Sequence, residues 1–345
     1  MNENRANAVA DKRSSLWTRF TSMNGSVVFL AMIAYFIIVE VIMQVAGIGS
    51  GIGLKFITIS NIMSILRQQV YIGIAACGIT LVMITGNIDL SVGNMMTFLG
   101  CLTAGIMMQT SNGPLAIFAT LAVGALCGLI NGVLVSYVKL NSFITTLGTS
   151  SIYGAMALLY AQGRFLVVEE GKSAFFDAFG LTSFGPIHII VVWFALTVII
   201  LGFTLSRTVF GKRLYAIGAN PVAAKFSGIR SELNTCIAYV ITGIAVGLAA
   251  AVMIGNIHSI NPQSTANKEM DIILAVVLGG TSVLGGKGSV WGTVIGVLFT
   301  GVLQAGFTQL NIATYVQWII MGFIMVVALS LDVLKERGIK LWKRK

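Results

Sequence analysis

Apolar residues run along this chain in blocks of about twenty, separated by short stretches of charge, glycine and turn-forming residues. A helix needs roughly 20 apolar residues to cross about 30 Å of hydrocarbon, so each block predicts a transmembrane helix. The blocks fall at 26–48, 68–86, 90–109, 114–137, 142–160, 187–205, 233–255, 271–286, 289–308 and 313–332. The second and eighth are short and rich in Gly and Thr, so hydropathy alone gives eight spans where the whole pattern gives ten. Either number is even and puts both termini on the same side. The expectation is an all-α integral membrane protein of about ten transmembrane helices, with two short glycine-broken segments and both termini cytoplasmic. Its parts are a cytoplasmic tail over 1–25, a transmembrane domain over 26–332 that holds a large internal connection at 206–232, and a basic cytoplasmic tail over 333–345.

Composition narrows the class. The chain is 56% hydrophobic and 10% charged, with a mean hydropathy of +0.90, whereas a soluble domain carries about 25% charged residues. Two soluble domains, a disordered chain and a disulfide-stapled secreted module are excluded. The net charge of +10 would suit a nucleic-acid binder, but its placement points to topology instead. With the amino end inside, Arg5, Lys12, Arg13, Arg19, Lys139, Arg207, Lys212, Arg213, Lys225, Arg230, Lys287 and the carboxy-terminal run Lys335 to Lys345 fall inside. Only Lys55, Arg164, Lys172 and Lys268 fall outside, with Arg67 at a boundary, as the positive-inside rule requires. The first block follows a charged tail and lacks a small-residue cleavage site, so it reads as an uncleaved span.

Glycine is abundant, at 39 residues, and proline scarce, at 4. Gly124, Gly128 and Gly132 share one face of the fourth span, and Gly243, Gly247, Ala251 and Gly255 share one of the seventh. Such faces let helix backbones approach closely, either as fixed packing or as surfaces that slide. Two segments break the apolar pattern. In the first, Gly86, Asn87, Asp89, Ser91 and Gly93 interrupt what would be continuous hydrophobic sequence. In the second, Gly279, Gly280, Thr281, Ser282, Gly285, Gly286 and Lys287 shorten the eighth span. Non-helical backbone at membrane depth is tolerated only inside protein or beside a water-filled cavity, so both predict a pathway through a bundle. A shift of 199 residues superimposes the two segments with few identities, no more than glycine-rich helices give by chance.

Other chemistry is sparse. Lys287 is not preceded by the glycine spacing of a phosphate-binding loop, and Gly288 follows it where Ser or Thr belongs. Cys77, Cys101, Cys127 and Cys236 lie in or beside spans without metal-type spacing and read as structural thiols; His188 and His258 are too far apart in sequence to suggest zinc. Glu40 has no evident partner and is expected to face the bundle or a neighbouring subunit.

Within 206–232, Asn220 suits an N-cap, Pro221 the first helical position and Gly228 a left-handed stop. A short helix is expected over Asn220, Pro221, Val222, Ala223, Ala224, Lys225, Phe226, Ser227 and Gly228. Its apolar Val222, Ala223 and Phe226 predict either a docking surface for another protein or a helix lying flat on anionic lipid, held by Lys225 and Arg230.

Three ordered motifs carry a resemblance. Gly86 to Gly93, the loop Gly211 to Pro221 continuing through Ala223 to Ile229, and Glu269-Met270-Asp271 followed by Ala275 to Ser282 and Gly285 to Gly288 resemble the ribose-type sugar permeases of bacterial ABC importers. The similarity runs from about residue 55 to 332. The family usually has Gly at the positions of Asn87 and Ala219 and Leu at that of Met270. The resemblance implies a ten-helix permease subunit in the bacterial inner (plasma) membrane, not itself an enzyme, that moves a small neutral sugar by ATP-driven alternating access. It implies a second permease, identical or homologous, an ABC ATPase with its two nucleotide domains often fused, and an extracytoplasmic sugar-binding protein. ATP and magnesium would be used by that ATPase, with no cofactor or metal on this chain, and its contacts would be with these proteins and membrane lipid, not nucleic acid. The helix at 220–228 would be the coupling helix, which favours docking over lipid.

A neutral sugar needs no pathway of paired charges, and Gln68, Gln69, Thr80, Thr85, Asn87, Asn131, Asn141, Thr145, Thr146 and Ser282 are the interior polar groups on offer. Pathway or gate candidates are Asn87, Asp89, Ser91, Thr281, Ser282 and Lys287. Asp89 reads either as the N-cap of the third span or as a gate contact to Lys287. The competing functions are an ATP-independent secondary sugar transporter and an ABC permease for branched-chain amino acids. An intramembrane enzyme has no clustered His, Cys or paired carboxylates to support it.

Overall fold

The computed structural model describes residues 24–48, 55–265 and 267–336. Residues 1–23 and 337–345, which hold most of both expected tails, lie outside the described residues. From the amino end come α1 (Asn24–Val45), α2 (Ile59–Ile84), α3 (Val92–Thr110), α4 (Gly113–Ser136) and α5 (Ser142–Ala161). A mixed excursion follows, with β1 (Leu166–Val167), α6 (Ala174–Leu181), β2 (Ser183–Phe184) and β3 (Ile187–His188). The chain continues through α7 (Ile189–Arg207), α8 (Val209–Ala219), α9 (Pro221–Phe226), α10 (Ser231–Ile257), β4 (Ser259–Ile260), α11 (Lys268–Leu278), α12 (Val290–Gln309) and α13 (Thr314–Glu336).

Side-chain caps fix many of the starts. Thr58, Asn112, Asn141, Thr208, Asn220 and Ser289 each accept a hydrogen bond from an amide in the first turn of the helix that follows, which satisfies a donor the helix cannot. Among the described residues, seven helices are long and apolar enough to cross a membrane: α1, α2, α4, α5, α7, α10 and α12. The class is therefore an all-α membrane protein. The other three expected spans coincide with α3, α11 and α13. α3 carries Asn94, Thr97 and Thr103 among its apolar residues, and α11 has only 11 residues, or about 16 Å at 1.5 Å per residue.

The second span differs from its sequence expectation. α2 begins at Ile59 instead of residue 68, because Asn61, Ser64, Arg67, Gln68 and Gln69 dilute the hydropathy of its first turns without breaking the helix. Three of these polar side chains donate hydrogen bonds locally or across helices: Asn61 to the Phe56 carbonyl at 2.8 Å, Gln68 to Ser64 Oγ at 3.1 Å, and Gln69 to Gln304 at 3.3 Å. The eighth span ends its helix at Leu278, short of the expected 286. The 206–232 connection contains α8 as well as the expected short helix.

α10 and α2 form the centre. Tyr239, Ala249, Ala250 and Ile254 on α10 and Ile74, Ile79, Leu81 and Met83 on α2 are inaccessible to solvent, whereas α1, α4, α5 and α7 expose large apolar side chains such as Ile38, Phe118, Leu159 and Phe203. α4 lies along α10 through its four-residue glycine face. A Cβ on Gly124 would collide with the Gly243 carbonyl, one on Gly128 with that of Tyr239, and one on Gly132 with Cys236. Gly255, at the far end of the α10 face, meets Gly180 of α6. There His258 and Asp177 pair at 3.1 Å, and β1 pairs with β4, so the 162–188 excursion is tied to the end of α10. The four cysteines are free and buried.

Glu40 is 6% exposed and faces the start of α2. Its Oε2 accepts from the amides of Phe56 at 2.7 Å and Ile57 at 2.9 Å, and its Oε1 from that of Lys55 at 2.9 Å and from Gln44 at 2.8 Å.

Candidate functional site

The chain leaves helical geometry at Thr85 and resumes it at Val92, so the backbone groups between need other partners. Side chains from two helices, α5 and α10, supply several of them. The Leu90 amide donates to Thr146 Oγ1 at 3.0 Å and the Ile88 amide to Ser142 Oγ at 3.3 Å, both on α5. Tyr239 of α10 donates to the Ile88 carbonyl at 3.4 Å. Asn131 of α4 donates to Ser91 Oγ at 2.8 Å, and Ser91 in turn donates to Asp89 Oδ1 at 2.6 Å. Asp89 is 1% exposed. It does not cap α3: Ser91 stands at the N-cap position, and Asp89 Oδ1 accepts the Ser91 amide at 2.9 Å, an Asx turn two residues long. Ser91, and not Lys287, is what holds this oxygen. Asn87 donates to Thr85 Oγ1 at 2.9 Å and so stays within its own turn.

The second broken segment is a tight loop. Gly280, Gly285, Gly286 and Gly288 all have positive φ, at 87°, 89°, 73° and 147°, which L side chains adopt only with strain. The Ser282 amide donates to the Lys287 carbonyl at 3.0 Å and closes the loop on itself. Gly279 packs on Gly292 of α12 so closely that neither has room for a Cβ. Thr281 and Ser282 are buried, at 1% and 2% exposure.

These two segments meet each other and the end of α8. The Gly286 amide donates to the Ile84 carbonyl at 2.8 Å, and a Cβ on Gly285 would sit 2.7 Å from the Gly86 amide nitrogen. Gly218 of α8 is pressed against the same Ile84 carbonyl and Gly286 amide, and Tyr215 donates to the Gly288 carbonyl at 2.7 Å. Burial pushes the Tyr215 phenol above its ordinary pKa, which keeps it a donor. Gly218, Ala219, Leu284, Gly285, Gly286 and Lys287 line a cavity of about 340 Å³ at this junction.

α9 projects from the junction. Asn220 Oδ1 caps it through the Ala223 amide at 3.0 Å, and Gly228 ends it at φ 77°. Ala224 is buried beneath the helix, while Val222 and Phe226 stand 65% and 89% exposed.

Several interior polar residues are occupied in bonds between helices or back onto their own helix. Thr80 pairs with Thr293 at 2.7 Å, Thr242 donates to the Gly78 carbonyl at 2.8 Å, and Thr145 bonds back to the Asn141 carbonyl at 2.8 Å. Asn141 caps α5.

Sequence reading did not single out a polar group that the structure assembles around Gly93. Thr265, just before α11, donates to the Gly93 carbonyl at 2.8 Å and shares a hydrogen bond with Thr97. A Cβ on Gly93 would take the place of the Glu269 carboxylate. Lys268 and Asp271 pair at 2.8 Å, and Tyr71 of α2 lies within electrostatic reach of both. The signal was present as three charged residues within four positions at the head of an apolar block, but it served only as a motif. Among the described residues, no group of three or more His, Cys, Asp or Glu is placed to hold a metal.

Residues 61–329 match the family model described as "Branched-chain amino acid transport system / permease component". The chain is 35% identical over 278 residues to the ribose import permease protein of Bacillus subtilis, covering 81% of this chain and 86% of the relative. It is 31% identical over 306 residues to the fructose import permease protein of Rhizobium meliloti, with 86% and 84% covered. Against the L-arabinose ABC transporter permease protein of Azospirillum brasilense it is 31% identical over 280 residues, with 80% and 81% covered. No solved structure matches the chain. With most of its length inside the family model and relatives matched over four-fifths or more of both chains, the chain belongs to this permease family and is a multi-pass, ribose-type permease subunit of an ABC importer.

Proposed function

We propose that the chain carries a small neutral sugar inward across the bacterial inner membrane by ATP-driven alternating access. The observation that carries this reading is the junction at which the end of α8, which leads directly into α9, meets both glycine-broken segments: a cytoplasmic input and the membrane-embedded breaks share one set of backbone contacts. In this reading ten spans cross the bilayer, the seven long apolar helices together with α3, α11 and α13, and both termini are cytoplasmic. Residues 206–232 are then the coupling loop, and α9 with its cap, Asn220 to Gly228, seats in a groove of the ATPase. Docking explains a helix that shows Val222 and Phe226 to its surroundings. ATP and magnesium are used by that partner, whose two nucleotide domains are fused or separate. A second permease copy or homologue completes the membrane part, and an external sugar-binding protein delivers the substrate.

The family description names branched-chain amino acids, whereas the ribose, fructose and L-arabinose permeases name sugars. That favours sugar. The test is uptake into proteoliposomes. The chain alone should carry no ribose, and addition of ATPase, binding protein and ATP should produce uptake. Gradient-driven uptake by the chain alone would establish a secondary transporter, and ATP-driven uptake of leucine without any sugar would establish an amino-acid permease. Phe226→Asp should prevent co-purification of the ATPase while leaving the permease folded, as judged by its elution in detergent. Unchanged co-purification would remove α9 from the interface.

A further inference from the structure

Asp89 is the one charged residue between Thr85 and Val92, and it is sealed in the bundle together with Ser91 and Asn131, all three at most 1% exposed. Their hydrogen bonds can be followed proton by proton. Ser91 Oγ has a single proton, and at 2.6 Å it goes to Asp89 Oδ1, which also takes the Ser91 amide. The 2.8 Å contact between Ser91 Oγ and Asn131 must then be donated by the Asn131 side-chain amide, which turns the Asn131 carbonyl oxygen away from Ser91. Two enclosed oxygens are left without a donor among the described residues, Asp89 Oδ2 and Asn131 Oδ1. The groups around them do not supply one. The titratable side chains that face Asp89 are Cys127 on α4, Tyr153 on α5 and Tyr239 on α10. Tyr239 gives its phenol proton to the Ile88 carbonyl and Tyr153 gives its own to the Cys127 carbonyl, and a thiol is a weak donor. Among the described residues no Lys, Arg or His pairs with Asp89.

An ionised carboxylate here, with no cation against it, would bear the cost of an uncompensated buried charge, and the Asn131 carbonyl would add that of an unmet acceptor. One proton removes both. We propose that Asp89 and Asn131 form a proton-binding site, in which Asp89 Oδ2 holds the proton and donates it to Asn131 Oδ1, so that a neutral carboxylic acid clasps the first broken segment to α4. A metal ion fits less well, because calcium or magnesium takes about six oxygen ligands, more than the two left free. Asn131 stands beside Gly132, whose lack of a side chain lets α4 lie against Cys236 of α10, so the clasp fastens the segment to a closely packed helix pair. The site goes beyond the import reading and does not depend on which solute is carried.

The test is infrared spectroscopy of the full-length permease in lipid nanodiscs at neutral pH. The wild-type chain should show the carbonyl stretch of a protonated carboxylic acid, shifted when the aspartate carboxyl carbons are isotopically labelled and lost in D89N. An ionised carboxylate gives no such band, whether it is hydrated or holds a sodium ion, so absence of the band overturns the proposal. A band that survives in D89N overturns it too, because it then belongs to another acid. D89N should otherwise resemble the wild type, since an amide offers Ser91 the same acceptor and Asn131 a donor. Its melting temperature should stay at the wild-type value while that of D89A falls by several degrees, because D89A leaves buried groups unpaired. If D89N melts as low as D89A, charge and not a proton holds the segment, and the proposal fails. Should D89N not assemble, N131L decides on labelled protein: the aspartate band must move once its acceptor is removed, and an unmoved band overturns the site.

Discussion

Gly218→Ala is expected to abolish most sugar uptake while the complex still assembles and hydrolyses ATP. Gly218 is an ordinary helical residue, so its backbone does not demand glycine; its surroundings do. An added methyl would overlap the Ile84 carbonyl oxygen and the Gly286 amide, two groups already bonded to each other. Neither is the far end of a flexible side chain, so α8 must move away from the junction. Overpacking of this kind costs about 1–3 kcal/mol, which corresponds to about a five- to 150-fold change in the coupling between two sites. The variant changes no residue of α9, so ATPase binding should survive. The measurement is ATP hydrolysis and ribose uptake on the same proteoliposomes. Loss of both in proportion, or of neither, would rule out the junction as the link.

The second large effect concerns folding. Gly243→Leu should eliminate monodisperse permease from detergent extracts. Gly124 and Gly243 each face the other's carbonyl oxygen, and a Cβ on Gly243 would also come within 3.0 Å of the Gly128 amide nitrogen. A whole side chain at this contact forces α4 off α10, at a cost of about 3 kcal/mol or more. The effect should be graded along the face. Gly247, where a Cβ would sit 3.0 Å from the Thr120 carbonyl and 3.3 Å from Leu121 Cα, has more room. Gly247→Ala should therefore lower the melting temperature less than Gly243→Ala. Equal melting temperatures would mean that the two helices hold together by other contacts.

Much of this was readable from the chain, for physical reasons that can be named. Lipid leaves helices as the only economical way to satisfy backbone groups, so apolar blocks gave the helices, and Asn220, Pro221 and Gly228 gave the ends of α9 because capping is local. The two breaks were legible because glycines with positive φ leave a compositional trace. What was not legible depended on partners distant in sequence. α8 carries Lys212 and Arg213 and too short an apolar pattern to separate it from loop. The first turns of α2 looked polar because Gln69 finds its partner at Gln304. Asp89 looked like a cap or a gate until Ser91 and Asn131 were placed around it. Glu269 gained meaning only once Gly93, far earlier in the chain, was found against it.

The Glu40 carboxylate bears on the order in which the protein can be built. Three consecutive amides, from Lys55 to Ile57, converge on one side chain of α1. Until residue 57 has been synthesised, α1 presents to the bilayer an acidic side chain without these donors, so a chain that reaches residue 57 is expected to hold α1 in the membrane more firmly than one cut before it.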